Sequence, residues 1–198
     1  MQLVVATWNE QKFKLIQNEL KNLEIPIFCL AHDIQDIEET ENTFIGNARL
    51  KVNAAREKYK KELILGEDSG LCIDALSGFP GVHTARFRDG DDNDRAAELL
   101  NMLKGIPLSK RQAQFQCSIA LSFPEEQTIS CSGTMTGWIA EEPIQRSNGY
   151  GDIFLLSNGR PLSAQNHSTN QLINHRSQAL FQAKLEIIEW LKRGRATK

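Results

Sequence analysis

The apolar positions of this chain change their spacing repeatedly, and each change marks an element. Leu3-Val4-Val5-Ala6 is an unbroken apolar run that reads as a first strand, and Thr7-Trp8-Asn9 as the turn after it. Phe13, Ile16, Leu20 and Leu23 then recur at helical spacing and predict a helix from about Glu10 to Leu23. Ile25 to Leu30 predicts a second strand, an acidic loop with Glu38, Glu39 and Glu41 follows, and a helix covers about Thr43 to Lys61. Leu63-Ile64-Leu65 reads as a buried strand that opens into a turn at Gly66-Glu67-Asp68-Ser69-Gly70, with Leu71-Cys72-Ile73 as another short strand. Gly78, Pro80 and Gly81 mark a glycine-rich loop, and Asp91 or Asp92 caps a helix through about Lys104 that stops at Gly105 and Pro107. Gln114–Phe123, Gln127–Ser132 and Met135–Ile139 read as three successive antiparallel strands, and a last helix covers about Asn170–Arg193. The order βαβαβ, then a meander, then a helix predicts an α/β fold on a mixed sheet, without repeats or a linker that would separate domains.

Composition narrows the classes. The 198 residues carry a net charge of −2, so no overall positive field draws in nucleic-acid polymers, and an anionic small substrate needs local cations or a metal. No apolar run approaches the ~18–20 residues that span a bilayer. The N-terminal residues lack the basic and long apolar regions of a signal peptide, and Cys29, Cys72, Cys117 and Cys131 lie far apart with no zinc-ligand spacing. The expectation is a cytoplasmic protein with reduced thiols.

Five segments carry candidate chemistry. Adjacent carboxylates at Glu67-Asp68 are costly unless a cation or donor compensates them, and phosphate chemistry uses acids to hold Mg²⁺ and to take a proton from water. Thr7-Trp8-Asn9-Glu10-Gln11-Lys12 joins a strand to a helix, where backbone N–H groups and a lysine can meet an anion. Glu38 to Phe44 leads into a helix bearing Asn47 and Lys51. Gly149-Tyr150-Gly151-Asp152 offers an aromatic face beside a carboxylate, and His175-Arg176 offers donors. Taken singly, each also reads as an ordinary cap, loop or surface pair; together, in this order, they do not.

That order resembles the inosine triphosphate pyrophosphatases, also called XTP/dITP diphosphatases, over about residues 3–180. The family's Asp-Asp-Ser-Gly-Leu motif stands here as Glu67-Asp68-Ser69-Gly70-Leu71, and its Gly-x-Pro-Gly loop as Gly78-Phe79-Pro80-Gly81 through Arg86. The resemblance implies a two-lobed α/β fold of the Maf/ITPase type, a nucleotide cleft between lobes, a homodimer, and Mg²⁺-dependent hydrolysis of ITP, dITP and XTP to monophosphate and pyrophosphate. By position it implies Glu38 and Asp68 as metal carboxylates, with Asp68 also the base for water. It implies Thr7, Trp8, Asn9, Glu10, Gln11, Lys12, Lys51 and Ser69 along the triphosphate. Tyr150 would stack on the base, with Gly151 beside it, while Asp152, Asn170, His175 and Arg176 lie on the base-recognition side. A 6-keto purine presents an acceptor where adenine presents a donor, so His175 and Arg176 would favour inosine.

The sequence also departs from that pattern. Trp8 replaces a glycine, Gly46 stands where many members carry Glu, Asn170 stands where Lys is usual, and the Tyr150–Ile153 loop is short. These changes leave two alternatives open: a nucleotide-binding homologue with weakened turnover, and a pyrophosphatase with another base preference.

Overall fold

The structure is a computed structural model of the 198-residue chain, and it describes residues 1–30, 34–144, 148–165 and 174–196. Its strands are β1 (Leu3–Ala6), β2 (Ile27–Cys29), β3 (Leu63–Ile73), β4 (Gln112–Ser122), β5 (Ile129–Ile139) and β6 (Phe154–Leu155). Its α-helices are α1 (Glu10–Leu20), α2 (Phe44–Arg56), α3 (Asp92–Met102), the single turn α4 (Tyr150–Ile153) and α5 (His175–Ala196). The sheet order is β2-β1-β3-β4-β5-β6, with β1 parallel to both β2 and β3 and β6 antiparallel to β5. The chain divides into two compact units that alternate in sequence. The first is Met1–Ser69, Cys117–Gly133 and His175–Lys198, and the second is Gly70–Gln116 and Thr134–Asn174.

In the first unit, β1 and β3 are buried on both faces, as parallel strands between helices must be. Strand alternation sends Leu3, Val5, Leu63 and Leu65 into one core with Ile16 and Leu20 of α1 and Leu180, Ala183 and Ile187 of α5. Val4, Ala6 and Ile64 enter the opposite core with Ala48, Val52 and Ala55 of α2. Gly66 sits where α2 crosses the strand: a Cβ there would lie 2.3 Å from the Ala48 carbonyl oxygen. The missing side chain is what lets the helix backbone lie on the strand.

The second unit packs Leu71 and Ile73 with Leu99 and Leu103 of α3, Met135 and Ile139 of β5, and Tyr150 and Phe154. Asp91 caps α3 by accepting from Asn93 N and Asp94 N, and the Asp94 side chain accepts from Asp91 N, completing a capping box. Arg111 is buried, yet its guanidinium donates to the carbonyls of Leu103, Ile106 and Ala140, one bond from each of its nitrogens.

Three expected boundaries move. Glu67-Asp68-Ser69-Gly70 is not a turn: it lies inside the 11-residue strand β3, which also absorbs Leu71–Ile73. The acids have long-range partners there, and these let polar residues sit mid-strand. The strands expected at Gln127–Ser132 and Met135–Ile139 are one strand, β5; Gly133 is not a break but the place where α5 begins against the strand, its missing Cβ leaving room for the His175 carbonyl. Helix α2 ends at Arg56 rather than Lys61, because the Arg56 guanidinium gathers the carbonyls of Tyr59, Lys60 and Glu62 into a closing turn.

Gly66→Ala should push α2 off β3 and cost about 2–3 kcal/mol, the scale of overpacking a tight contact. Urea unfolding should show a lower midpoint at an unchanged slope.

Candidate active site

The site begins with the register of two parallel strands. Ala6 of β1 pairs with Gly66 of β3, so Thr7 and Glu67 leave that pair side by side. Ligands of α/β sheets gather at such carboxyl ends, where a strand turns into a helix. The turn is tightly self-bonded: Asn9 N donates to Thr7 Oγ1 at 3.2 Å, and Asn9 Oδ1 caps α1 by accepting from Lys12 N at 3.0 Å. The Trp8 indole donates to the Ile34 carbonyl at 2.8 Å, which fixes the bulky ring to the 34–36 loop.

Because side chains alternate along a strand, Glu67 and Asp68 cannot face the same way. Glu67 follows Leu65 to the α1/α5 side. Its Oε2 meets Lys12 Nζ at 3.2 Å, its Oε1 meets Arg176 Nε at 3.1 Å, and the Cys117 thiol donates to Oε1 at 3.4 Å. Ser69, two residues on and on the same face, accepts from Arg176 Nη2 at 2.9 Å. Burial opposes ionisation of Glu67, but Lys12 and Arg176, with help from Ser69 and Lys51, hold its carboxyl down at about 2.

Asp68 follows Gly66 to the α2 side. Asn47 and Lys51 are four residues apart on α2, hence on one helix face, and both reach it. Asn47 Nδ2 donates to Asp68 Oδ2 at 3.1 Å while its Oδ1 accepts from Glu41 N at 3.0 Å, so the amide ties the acidic loop to Asp68. Lys51 Nζ donates to the Glu67 carbonyl at 3.0 Å, pairs with Glu39 at 2.5 Å and lies 3.5 Å from Asp68 Oδ1. Burial and the nearby Glu39 charge raise Asp68 above the usual carboxylate range despite Lys51 and Asn47. Burial works against the Lys51 ammonium too, but Asp68, Glu39 and Glu67 outweigh it, and Lys51 stays protonated. A carboxylate with a raised proton affinity beside a fixed ammonium suits a base that takes a proton from water.

The expected residues divide accordingly. Thr7, Asn9, Lys12, Lys51, Asp68, Ser69, His175 and Arg176 all lie in the first unit. Burial and the Arg176 charge hold His175 down at about 4, so its imidazole is neutral near pH 7. Glu10 and Gln11 are exposed on α1, and Glu10 pairs with the equally exposed Lys14. Glu38 is exposed, whereas its neighbour Glu39 turns in to Lys51. Tyr150, Gly151 and Asp152 belong to the second unit, in α4. The Tyr150 ring is packed edge-on against Phe115, its hydroxyl donates to the Thr84 carbonyl at 2.7 Å, and Asp152 Oδ2 accepts from Asn148 N at 2.9 Å. These are bracing contacts: only 8% of Tyr150 and 1% of Asp152 is exposed. Asn170 lies outside the described residues.

The pairing of Glu39 with Lys51, the bond from Asn47 to Asp68 and the clamp on Glu67 are additions to the sequence reading. The i, i+4 spacing of Asn47 and Lys51 could have flagged the first helix residue. Nothing periodic distinguishes Glu39 from Glu38 in a loop.

Among the described residues no group of three or more His, Cys, Asp or Glu is placed to hold a metal ion. Magnesium does not require one, since it commonly uses one or two carboxylates and keeps water and phosphate oxygens as its other ligands. Asp68 and Glu39, drawn to one lysine and carrying more negative charge than it neutralises, fit that kind of site.

The site thus joins a parallel strand–helix turn, a buried carboxylate of raised proton affinity, two lysines and an arginine on an α/β frame. The Ham1 family profile matches residues 3–185, and the chain belongs to that family. It is 43% identical over 189 residues to a "non-canonical purine NTP pyrophosphatase homolog" of Halalkalibacterium halodurans, covering 96% of this chain and 97% of the relative. A dITP/XTP pyrophosphatase of the same organism is 39% identical over 185 residues, covering 90% of this chain and 95% of that protein. The solved structure of a HAM1 protein from Coxiella burnetii superposes with a TM-score of 0.85 at 34% identity, over 96% of this chain and 99% of that one.

Lys51→Ala would leave Asp68 and Glu39 facing each other without their ammonium. A cost of about 3 kcal/mol is expected, the scale of breaking a buried pair. A raised carboxyl penalises the fold only where it must ionise, so the loss should be largest above neutral pH and shrink as pH falls towards 5. Melting curves of both proteins across that range would measure it.

Proposed function

We propose that the chain hydrolyses nucleoside triphosphates carrying aberrant purines (ITP, dITP and XTP) to the monophosphate and pyrophosphate. The observation that carries this reading is Asp68: a buried carboxylate of raised proton affinity, oriented by Asn47 and Lys51, one strand away from the capped turn at Thr7–Lys12. The full-length match to relatives named dITP/XTP pyrophosphatases supports the substrate class.

Asp68 takes a proton from water as the water oxygen bonds to the α-phosphorus. The bond from that phosphorus to the oxygen bridging to the β-phosphate breaks, and pyrophosphate leaves. Lys12 and the N-terminal N–H groups of α1 bind the phosphate oxygens, and Lys51 holds the base in place and offsets charge as it develops. Asp68 and Glu39, which turns inward where Glu38 is exposed, would hold Mg²⁺, and the bound ion would neutralise the phosphate charges. Arg176, with the neutral imidazole of His175, donates towards the 6-keto oxygen and so disfavours adenine. No described helix is long and apolar enough to cross a membrane. A homodimer, implied by the family, would be read by sedimentation of the intact chain.

A panel of ITP, dITP, XTP, dTTP and ATP, assayed for pyrophosphate release with and without Mg²⁺, tests the reading. At least a tenfold preference for the 6-keto purines over ATP is expected, since one buried donor–acceptor mismatch costs ~1–3 kcal/mol. Equal rates on ITP and ATP would remove the base assignment, and absence of pyrophosphate from every substrate would leave the binding homologue.

Asp68→Asn should lower turnover by ~10² or more, the scale of losing a general base. The same change should leave the melting temperature unchanged or raise it, because the wild-type carboxylate is held ionised against its surroundings. A variant that loses both activity and stability would instead mark Asp68 as structural.

A further inference from the structure

The acid that the mechanism does not use, Glu67, is nearly sealed from solvent, with 4% of the residue exposed. Each of its oxygens has a separate cation: Lys12 on Oε2 at 3.2 Å and Arg176 on Oε1 at 3.1 Å. Those cations come from opposite ends of the sequence, one from the first turn of α1 and the other from the first turn of α5. Both keep part of their side chains accessible, 31% for Lys12 and 23% for Arg176, so they are anchored from inside and reach outward. Ser69 and the Cys117 thiol fix the rest of the clamp, by accepting from Arg176 Nη2 and by donating to Glu67 Oε1.

We infer that Glu67 is a positioning residue serving both ends of the nucleotide: it sets the lysine that grips phosphate and the arginine that reads the base. The inference rests on the roles proposed above for Lys12 and Arg176. Arg176 is oriented by two hydrogen bonds, to Glu67 and to Ser69, whereas Lys12 is drawn to Glu67 Oε2 by charge without a hydrogen bond. A preset arginine discriminates better than one that must be ordered by the ligand. Glu67 itself touches neither phosphate nor base. Its effect passes entirely through the two cations, and so a single substitution should be felt in two chemically unrelated binding events.

Two probes that are not substrates of the proposed reaction separate those events: tripolyphosphate, which has no base, and the pair IMP and AMP, which differ in the base. Calorimetric titration of the intact wild-type chain, Glu67→Gln and Glu67→Asp is the experiment, with melting curves confirming that each variant is folded at the titration temperature. Gln keeps an acceptor but sets an amide NH₂ against one of the cations. It should weaken tripolyphosphate about fivefold and cut the IMP-over-AMP preference about tenfold. Asp restores the charge on a shorter arm and should recover most of both. A folded Glu67→Gln chain with unchanged tripolyphosphate affinity and unchanged IMP preference would overturn the inference, as would loss of only one of them or failure of Asp to restore either. Because no probe is turned over, wild-type chain that fails to hydrolyse ITP would sink the proposed function without deciding this test.

Discussion

Consecutive residues of a β-strand point to opposite faces, and β3 is a strand with packed helices on both. Two acids in succession there cannot share one compensating group. Each needs its own, and the first unit is arranged around that demand: α1 and α5 bring Lys12 and Arg176 to Glu67, and α2 brings Asn47 and Lys51 to Asp68. The two results differ chemically. Glu67 has two cations and stays ionised well into acid, although its Oε2 has no hydrogen-bond partner, whereas Asp68 shares Lys51 with Glu39 and is left holding its proton more readily than an exposed carboxyl. The two acids are set to opposite proton affinities by the number of cations that offset the burial of each.

Gly66 makes the second arrangement possible. With α2 lying directly on the strand, Asn47 and Lys51 reach Asp68 with ordinary hydrogen-bond and ion-pair distances. A side chain at residue 66 would meet the Ala48 carbonyl and push the helix, and with it Asn47 and Lys51, away from Asp68. Packing and chemistry are thus the same constraint at this point of the chain.

Local patterning revealed the elements whose signals are local. The apolar run of β1, the helical spacing of α1 and the aspartate cap of α3 lie where the sequence predicts them, to within a few residues at their ends. β3 was not legible as one strand, because Gly-Glu-Asp-Ser-Gly carries every mark of a turn. What makes it a strand is compensation from residues 12, 51 and 176, which no window of ten residues contains. The same holds for the site. Asp68, Lys12, Lys51 and Arg176 were visible as motif positions, while the pairing of Glu67 with two cations and the inward turn of Glu39 beside the exposed Glu38 depend on which way a side chain turns. The inward packing of Tyr150 and Asp152 is another matter of orientation that the glycines around them do not disclose.

The interleaving of the two units has a consequence for the order of events at synthesis. The first unit draws on Met1–Ser69, Cys117–Gly133 and His175–Lys198, so α5 is made after its other segments. Until α5 arrives, one apolar face of β1 and β3 is covered by α1 without α5, and Glu67 has only one of its two cations. The second unit's segments are complete earlier, before residue 175 is made. A nascent chain would therefore carry an unfinished first unit until α5 is made, with apolar surface exposed that folding later buries.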